Sequence, residues 1–188
     1  GGMVLTDDDA VAEHLRQLRS HGMTSLTWDR YKGQALSYDV TMLGYNYRPS
    51  EILSALGLVQ LGKLESNNAR RRELTELYHD LLVEQIPQVG VPFQQVRGVS
   101  TAHILPVILP EGVDRAAVMT NLKAKGIQTS IHYPLIPSFS AYKKPGSTAG
   151  LPVALQVAER ELTLPLFALM TEDMVREVVA SLREAREE

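Results

Sequence analysis

Apolar side chains recur at helical spacing over two consecutive stretches in the middle of the sequence, with a polar, arginine-rich segment between them. The first stretch follows Pro49, and proline is favoured at the first helical position. The second stretch runs on to Leu82. Together they predict one helix over residues 49–85, with a kink at Gly57 or Gly62.

The pattern before this helix is mixed. Residues 3–5 predict a short strand, and the helix that follows is expected to be capped by Thr6 or Asp7 and to end at Gly22. Residues 23–48 keep no clean period, which predicts a long loop. Its aromatic residues are Trp28, Tyr31, Tyr38, Tyr45 and Tyr47.

Beyond the long helix the period changes, after a stretch rich in proline and glycine. Strand and helix patterns then alternate and predict a small α/β layer. The predicted strands are 102–109, 127–133 and 162–164, the helices are 114–125, 151–161 and 171–183, and a loop spans 134–150.

Composition narrows the class of protein. The 188 residues include 19 basic and 22 acidic side chains, a net charge of −3, which gives no support for a nucleic-acid or anionic-membrane partner. The absence of cysteine excludes disulfides and thiolate metal sites and fits a reducing cytoplasm, and the five histidines lack metal-ligand spacing. Because no apolar run approaches the roughly 20 residues of a membrane span, we expect a cytoplasmic protein.

A first candidate site lies at residues 44–51. Asn46 and Arg48 stand two positions apart, immediately before the predicted helix N-terminus. Backbone N–H groups there favour an anion, and the amide and guanidinium add directed donors. The alternative is an N-capping turn with packed tyrosines, and local chemistry leaves both open.

A second candidate is residues 131–134, where a predicted strand runs into a loop and carries His132 and Tyr133. Ligand-facing residues often lie at such junctions, although a hydrogen-bonded structural histidine is the more common case. The run Arg70, Arg71 and Arg72 resembles an anion patch, but nearby glutamates favour a solvated, paired helix face.

Several blocks, in one order over essentially the whole chain, resemble the DegT/DnrJ/EryC1/StrS family of sugar aminotransferases. The blocks are residues 2–8, 19–22, 44–61 (GYNYRPSEILSALGLVQL), 69–78 (ARRRELTELY), 126–134 (GIQTSIHYP) and 161–166 (ELTLPL). Each block alone is weak evidence, and the ordered set carries the resemblance.

The resemblance implies the α/β C-terminal part of a fold-type-I pyridoxal-phosphate (PLP) aminotransferase. It implies a tail of the large cofactor domain with an aromatic loop (1–48), an interdomain helix (49–85) and a small C-terminal α/β domain (86–188). The implied reaction moves an amino group from glutamate or glutamine to a keto sugar nucleotide in amino-sugar and polysaccharide biosynthesis. The active site is expected to be shared across a homodimer.

The resemblance also assigns site residues. Asn46 is expected to bind the PLP phosphate in the neighbouring subunit, and His132 to lie by the substrate entrance. The candidate substrate-binding residues are Tyr45, Tyr47, Arg48, His132 and Tyr133. Relatives carry a second histidine in the loop that follows, where this chain has Pro137 or Ser138.

The family's Schiff-base lysine precedes a Gly-Gly-Met-Val strand, and this sequence begins at that Gly-Gly. None of the six lysines has the matching context: Lys32, Lys63, Lys123, Lys125, Lys143 and Lys144. We therefore assign no catalytic residue and no metal ligand, and expect an isolated C-terminal fragment that binds no PLP and is inactive. The alternative is a naturally truncated, non-catalytic homologue that dimerises or binds a ligand. Either way, uncovered apolar surface predicts a homodimer or larger species.

Overall fold

The computed structural model describes residues 2–25, 31–33, 37–94, 98–144 and 150–187. The chain divides into two units, 1–62 and 63–188, each described here by itself. Trp28 of the predicted aromatic loop and part of the loop before residue 150 lie outside the described residues. The domain boundaries expected at residues 48 and 85 stay predictions.

The first unit includes the helices α1 (Asp9–Leu18) and α2 (Glu51–Gly62), and neither buries a residue within the described part of the chain. The cap of α1 is Asp8, where Thr6 or Asp7 was predicted. Its Oδ1 accepts from the N–H groups of Ala10 and Val11 at 2.8 and 3.1 Å. Asp8 takes this place because its own backbone is extended, so the carboxylate folds back onto the first turn.

Two predictions near these helices are wrong. Residues 3–5 form no strand, because no segment among the described residues pairs with them, and a strand needs a hydrogen-bonding neighbour. Pro49 does not start α2. The helix begins at Glu51, and the hydroxyl of Ser50 accepts from the N–H of Leu53 at 3.4 Å, as an N-cap side chain does.

Residues 18–24 and 39–47 run antiparallel through isolated bridges, Ser20 with Asn46 and Met23 with Val40. Two glycines allow this close approach. A Cβ on Gly22, whose φ is +71°, would lie 1.9 Å from the carbonyl oxygen of Met42, and a Cβ on Gly44 would lie 2.2 Å from the nitrogen of Gly22. Gly22 was predicted to end α1, and its N–H does donate to the carbonyl of Gln17 in the last turn at 2.9 Å. Its missing side chain also admits this ribbon.

The long helix predicted over 49–85 is two helices. α2 ends at Gly62 and α3 (Leu64–Gln85) follows after Lys63. The break comes directly after one of the two glycines at which a kink was expected, where helix propensity is low.

The second unit continues from α3 through β1 (Leu105–Ile108), α4 (Arg115–Ala124), a 3₁₀ turn (Ile136–Ser138), α5 (Pro152–Arg160), β2 (Glu161–Leu164) and α6 (Glu172–Glu187). The two strands are antiparallel, with Leu105 opposite Leu164 and Ile108 opposite Glu161. One contiguous core joins α3, both strands, α4 and α6. Its fully buried members include Leu74, Tyr78, Leu82, Val107, Leu122, Leu162, Val179 and Leu182.

The strand predicted over 127–133 is wrong. In this segment only Ser130 pairs with β2, donating to and accepting from Thr163 at 3.1 and 2.8 Å. The ladder stops there because the next backbone donor in register, the N–H of His132, binds the carboxylate of Glu161 at 2.9 Å rather than a strand carbonyl.

Candidate functional site

The loop at 44–48 is fastened to the end of α1 by three backbone hydrogen bonds. The N–H of Tyr45 donates to the carbonyl of Leu18 at 2.6 Å, and the carbonyl of Tyr45 accepts from His21 at 2.9 Å. The N–H of Tyr47 donates to Arg19 at 2.9 Å. The backbone of this loop is therefore held in place while its side chains stay exposed.

The side chains of the loop separate onto two faces. The rings of Tyr45 and Tyr47 stack with centroids 5.0 Å apart and planes 7° from parallel. Side chains alternate along an extended segment, so Asn46 lies on the other face. Its amide makes no hydrogen bond to any residue that the structure describes, and its donors are available to a ligand.

Arg48 continues the loop toward α2. Its Nη2 lies 3.4 Å from Nε2 of His21, and the remaining guanidinium donors are exposed. Glu51 opens α2 two residues after Pro49, so the first-turn N–H groups of a helix follow closely in sequence. Both features considered for this segment are present, the capping turn with stacked tyrosines and the row of exposed donors, and the anion site stays a prediction.

A second group of polar side chains surrounds His132 in the second unit. Nδ1 of His132 lies 2.9 Å from Oγ1 of Thr163 and 3.4 Å from Oγ of Ser130. The Thr163 hydroxyl donates to Oε1 of Glu161 at 2.5 Å, while Oε2 of that carboxylate accepts from the backbone of His132. One side of the imidazole is thus fixed by a hydrogen-bonded chain of three residues.

This group lines a cleft of about 200 Å³ between the end of β2 and the segments before β1 and after α4. The lining residues are His103, Ile104, Gln128, Ser130, His132, Thr163, Leu164, Pro165 and Leu166. Tyr133 is 72% exposed, and its ring meets that of His132 edge to face at 4.9 Å. The lining combines imidazole, amide and hydroxyl groups, a set that suits the hydroxyls of a polar ligand.

The sequence analysis did not assign roles to Glu161 and Thr163, which are only 4% and 5% exposed. A signal was present, because these residues are two apart in a strand and so share a face. The strand Glu161–Leu164 begins with a carboxylate and is otherwise leucine, threonine and leucine. A carboxylate that is buried in such a strand needs hydrogen-bond donors. The donors themselves come from His132 and Thr163, and only the folded chain brings the first of these near.

The three consecutive arginines pair only in part as predicted. Arg70 binds Glu73 at 2.9 Å and Arg72 binds Glu65 at 3.5 Å. Arg71 instead donates through Nε to the carbonyl of Ala102 at 3.1 Å. This arginine therefore fastens α3 to the segment before β1 and is not a solvated face residue.

The described residues hold no group of three or more histidine, cysteine, aspartate or glutamate side chains arranged for a metal ion. Within the same ranges, no helix is long and apolar enough to cross a membrane.

A sequence model of the DegT/DnrJ/EryC1/StrS aminotransferase family matches residues 1–183, and this chain belongs to that family. The resemblance drawn from the ordered blocks is confirmed. So is the fold class, a mixed helix and strand structure consistent with the C-terminal part of a fold-type-I aminotransferase.

Solved structures of similar fold agree. Helicobacter pylori PseC, an aminotransferase involved in the biosynthesis of pseudoaminic acid, is 26% identical and superposes with a TM-score of 0.84 over 97% of this chain and 47% of its own. S. venezuelae DesV is 27% identical, with a TM-score of 0.81 over 98% of this chain and 46% of its own. The aminotransferase TlmJ from Streptoalloteichus hindustanus is 27% identical, with a TM-score of 0.80 over 95% and 46%. The chain spans less than half the length of each of these proteins.

Proposed function

We propose that this chain supplies the cofactor-phosphate loop and the small domain of a PLP-dependent aminotransferase that moves an amino group from glutamate or glutamine to a keto sugar nucleotide. The observation that carries the proposal is the loop at 44–48. There the amide of Asn46 and the guanidinium of Arg48 are exposed on a backbone that three hydrogen bonds hold in place.

The donor set of this loop suits a phosphate group. A phosphate monoester accepts several hydrogen bonds, and Asn46, Arg48 and the first-turn N–H groups of α2 are all donors. The Glu51 carboxylate, in the first turn of α2, adds one negative charge nearby. The positive guanidinium offsets that charge. PLP, when bound, supplies an electron sink for the carbon that exchanges its amino group.

The other candidates have roles in holding the substrate. The stacked Tyr45 and Tyr47 give the loop a rigid apolar face beside its donors. His132 and Tyr133 place an imidazole and a phenol at the cleft of the second unit, a polar surface for a sugar nucleotide. None of the residues that line this cleft is a lysine. In this proposal the amine that anchors the cofactor therefore comes from outside these residues.

The active enzyme is proposed to be a homodimer. The apolar side chains of α2 are exposed in this chain, with Leu58 at 73% and Leu61 at 65%. Large uncovered apolar faces are rare on monomers, and a second copy is the occupant that the family's shared site calls for. Sedimentation at tens of micromolar should give a dimer or larger species, and a clean monomer would contradict this part of the proposal.

The test of the phosphate loop is Asn46→Ala in the holoenzyme that contains this chain. A neutral donor to a charged phosphate is worth about 1.4 kcal/mol, so its loss should weaken PLP retention by roughly tenfold. Retained PLP is measured by absorbance after dialysis. Gln60→Ala, which removes an exposed amide from α2, is the matched control and should retain PLP as the wild type does. Equal retention in Asn46→Ala would refute the assignment.

Complementation tests whether Asn46 serves the neighbouring subunit. If Asn46 and the Schiff-base lysine of one site come from different subunits, an Asn46→Ala chain paired with a chain that lacks the lysine leaves one site with both lesions and one site with neither. Mixed dimers should then regain up to half of the wild-type activity. Mixed dimers as inactive as either parent would show that both groups act within one subunit.

A further inference from the structure

The hydroxyl of Thr163 has one hydrogen, and the structure shows where it goes. As a carboxylate, Glu161 can only accept hydrogen bonds. Its Oε2 lies 2.9 Å from the backbone nitrogen of His132, and its Oε1 lies 2.5 Å from the hydroxyl oxygen of Thr163. The Thr163 hydroxyl therefore donates its one hydrogen bond to Glu161. The hydroxyl oxygen of Thr163 can then act toward His132 only as a hydrogen-bond acceptor.

This direction fixes the proton on the imidazole. Nδ1 of His132 lies 2.9 Å from the Thr163 oxygen, so Nδ1 must carry a hydrogen; otherwise two lone pairs would face each other. In the neutral ring Nε2 is then the unprotonated nitrogen. Ser130, whose Oγ is 3.4 Å from Nδ1, is a second, longer contact on the same side.

We propose that Glu161 and Thr163 are positioning residues that hold His132 as the Nδ1–H tautomer and present Nε2 to the cleft as a hydrogen-bond acceptor. Nε2 forms no hydrogen bond with the described residues of the second unit. The group that Nε2 recognises must be a donor, which is a sugar hydroxyl and not a phosphate oxygen. That last step rests on the proposed function, whereas the tautomer does not.

The first experiment reads the tautomer directly. The chain is labelled with ¹⁵N-histidine, and two-bond ¹H–¹⁵N correlations at pH about 8.5, above the ordinary histidine pKa of about 6.5, show which ring nitrogen is protonated. His132→Gln identifies the His132 signal among the five histidines. We expect Nδ1–H to exceed Nε2–H by at least about fivefold, the factor for one net hydrogen bond. A wild-type ring protonated mainly at Nε2 would overturn the proposal.

Glu161→Gln makes the test sharper because it keeps the shape of the side chain and reverses the direction of the hydrogen bonds from Glu161 through Thr163 to His132. The backbone N–H of His132 can only donate, so it takes the new amide oxygen and leaves the NH₂ group facing Thr163. Thr163 must then give its hydrogen to Nδ1, and the ring should become mainly Nε2–H. Glu161→Gln with Nδ1–H still dominant would also overturn the proposal.

Two substitutions at 163 separate the hydroxyl from general packing. Thr163→Ser keeps the relay and should keep the Nδ1–H preference. Thr163→Val keeps the branched shape, removes the acceptor and should reduce the preference by at least about fivefold. If both variants retain the wild-type ratio, Thr163 does not set the tautomer.

The substrate contact is tested in the holoenzyme. Glu161→Gln should raise KM for the keto sugar nucleotide at least about fivefold with a smaller effect on kcat. Glu159→Gln, which neutralises an exposed carboxylate of α5 outside the cleft, is the matched control and should leave both constants at their wild-type values. A reversed tautomer with an unchanged KM would refute the acceptor role toward substrate. A wild-type holoenzyme that does not use sugar nucleotides would refute the proposed function and leave the tautomer result in place.

Discussion

The helices α2 and α3 follow each other in sequence, and the more apolar of the two, α2, is the one that is left exposed in this chain. Within its described residues α2 buries nothing, and its leucines are mostly solvent-exposed. α3 buries Leu74, Tyr78, Leu81 and Leu82 in the core of the second unit. Among the described residues, the buried apolar core likewise lies in the second unit.

This difference indicates where the stability of the chain comes from. The second unit has a contiguous apolar core that removes area from water, at about 25 cal/mol per Å². The first unit depends on backbone hydrogen bonds, caps and two close-packed glycines, and presents apolar side chains that need a partner surface. We expect the first unit to open more readily than the second.

The largest expected effect compares one substitution in both regions. Leu82→Ala should destabilise the second unit by about 2–5 kcal/mol, because the side chain is fully buried and leaves a cavity. In the monomeric chain, measured at a concentration low enough to keep the proposed dimer dissociated, Leu58→Ala at its exposed site in α2 should change stability by less than about 0.5 kcal/mol. Urea unfolding of both variants measures the free energies. Similar losses would show that α2 is covered in the isolated chain.

A second pair of variants tests the glycine contacts of the first unit. Gly44→Ala places a Cβ 2.2 Å from the nitrogen of Gly22 and should cost about 1–3 kcal/mol through overpacking. Gly57→Ala, in α2 with nothing within 4 Å of the added Cβ, should be neutral or stabilising by up to about 1 kcal/mol. Amide exchange at His21, Tyr45 and Tyr47 reports the effect. Unchanged protection in Gly44→Ala would mean that the ribbon relaxes without cost.

A smaller effect concerns a buried phenol in the core. The hydroxyl of Tyr78 donates to the carbonyl of Pro165 at 3.0 Å, and burial raises the pKa of Tyr78 above its ordinary value of about 10. Because the unfolded chain ionises first, this contribution to stability is present below pH 10 and is lost as the pH rises above it. Tyr78→Phe should lose about 1 kcal/mol at neutral pH and show a shallower decline above pH 10.

The exposed Tyr142 offers the control for that measurement. Tyr142→Phe should leave the free energy of unfolding at neutral pH within about 0.5 kcal/mol of the wild type. Chemical denaturation at a series of pH values measures the free energy of unfolding of the wild type and of Tyr78→Phe. The same pH dependence in both proteins would count against a burial effect at Tyr78.

The smallest effect compares two helix caps of the same chemistry. Asp114 caps α4 of the second unit through the N–H groups of Ala116 and Ala117, as Asp8 caps α1 of the first. Asp114→Ala should lower the global free energy of unfolding by about 0.5–1 kcal/mol. Asp8→Ala should alter only the local amide exchange of α1. A global loss from Asp8→Ala equal to that from Asp114→Ala would show that the two units unfold together.

Local signals in the sequence predicted local structure well. α4 runs from its Asp114 cap to Ala124, within a residue of the predicted limits, because a cap and the glycine that follows act on neighbouring backbone groups. α5 and β2 also lie where their patterns placed them. The loop at 44–48 was singled out by its donors, and the family blocks gave the fold class.

The sequence did not predict features that depend on distant residues. Residues 127–133 have a strand pattern, but Glu161, far along the chain, takes the N–H of His132 and ends the pairing after Ser130. Arg71 was predicted to lie on a solvated, ion-paired helix face, whereas its Nε–H donates to the carbonyl of Ala102. In both cases the deciding partner is close only in the folded chain.

What the sequence by itself determined is therefore the family and the approximate positions of most helices, such as α4 with the glycine that follows it. What only the tertiary structure decided is which apolar stripe becomes core and which polar groups meet. A periodic pattern states that a face is apolar, whereas burial depends on what lies opposite that face. For the same reason the hydrogen-bonded chain from Glu161 through Thr163 to His132 becomes visible only when β2 and the segment after α4 are placed side by side.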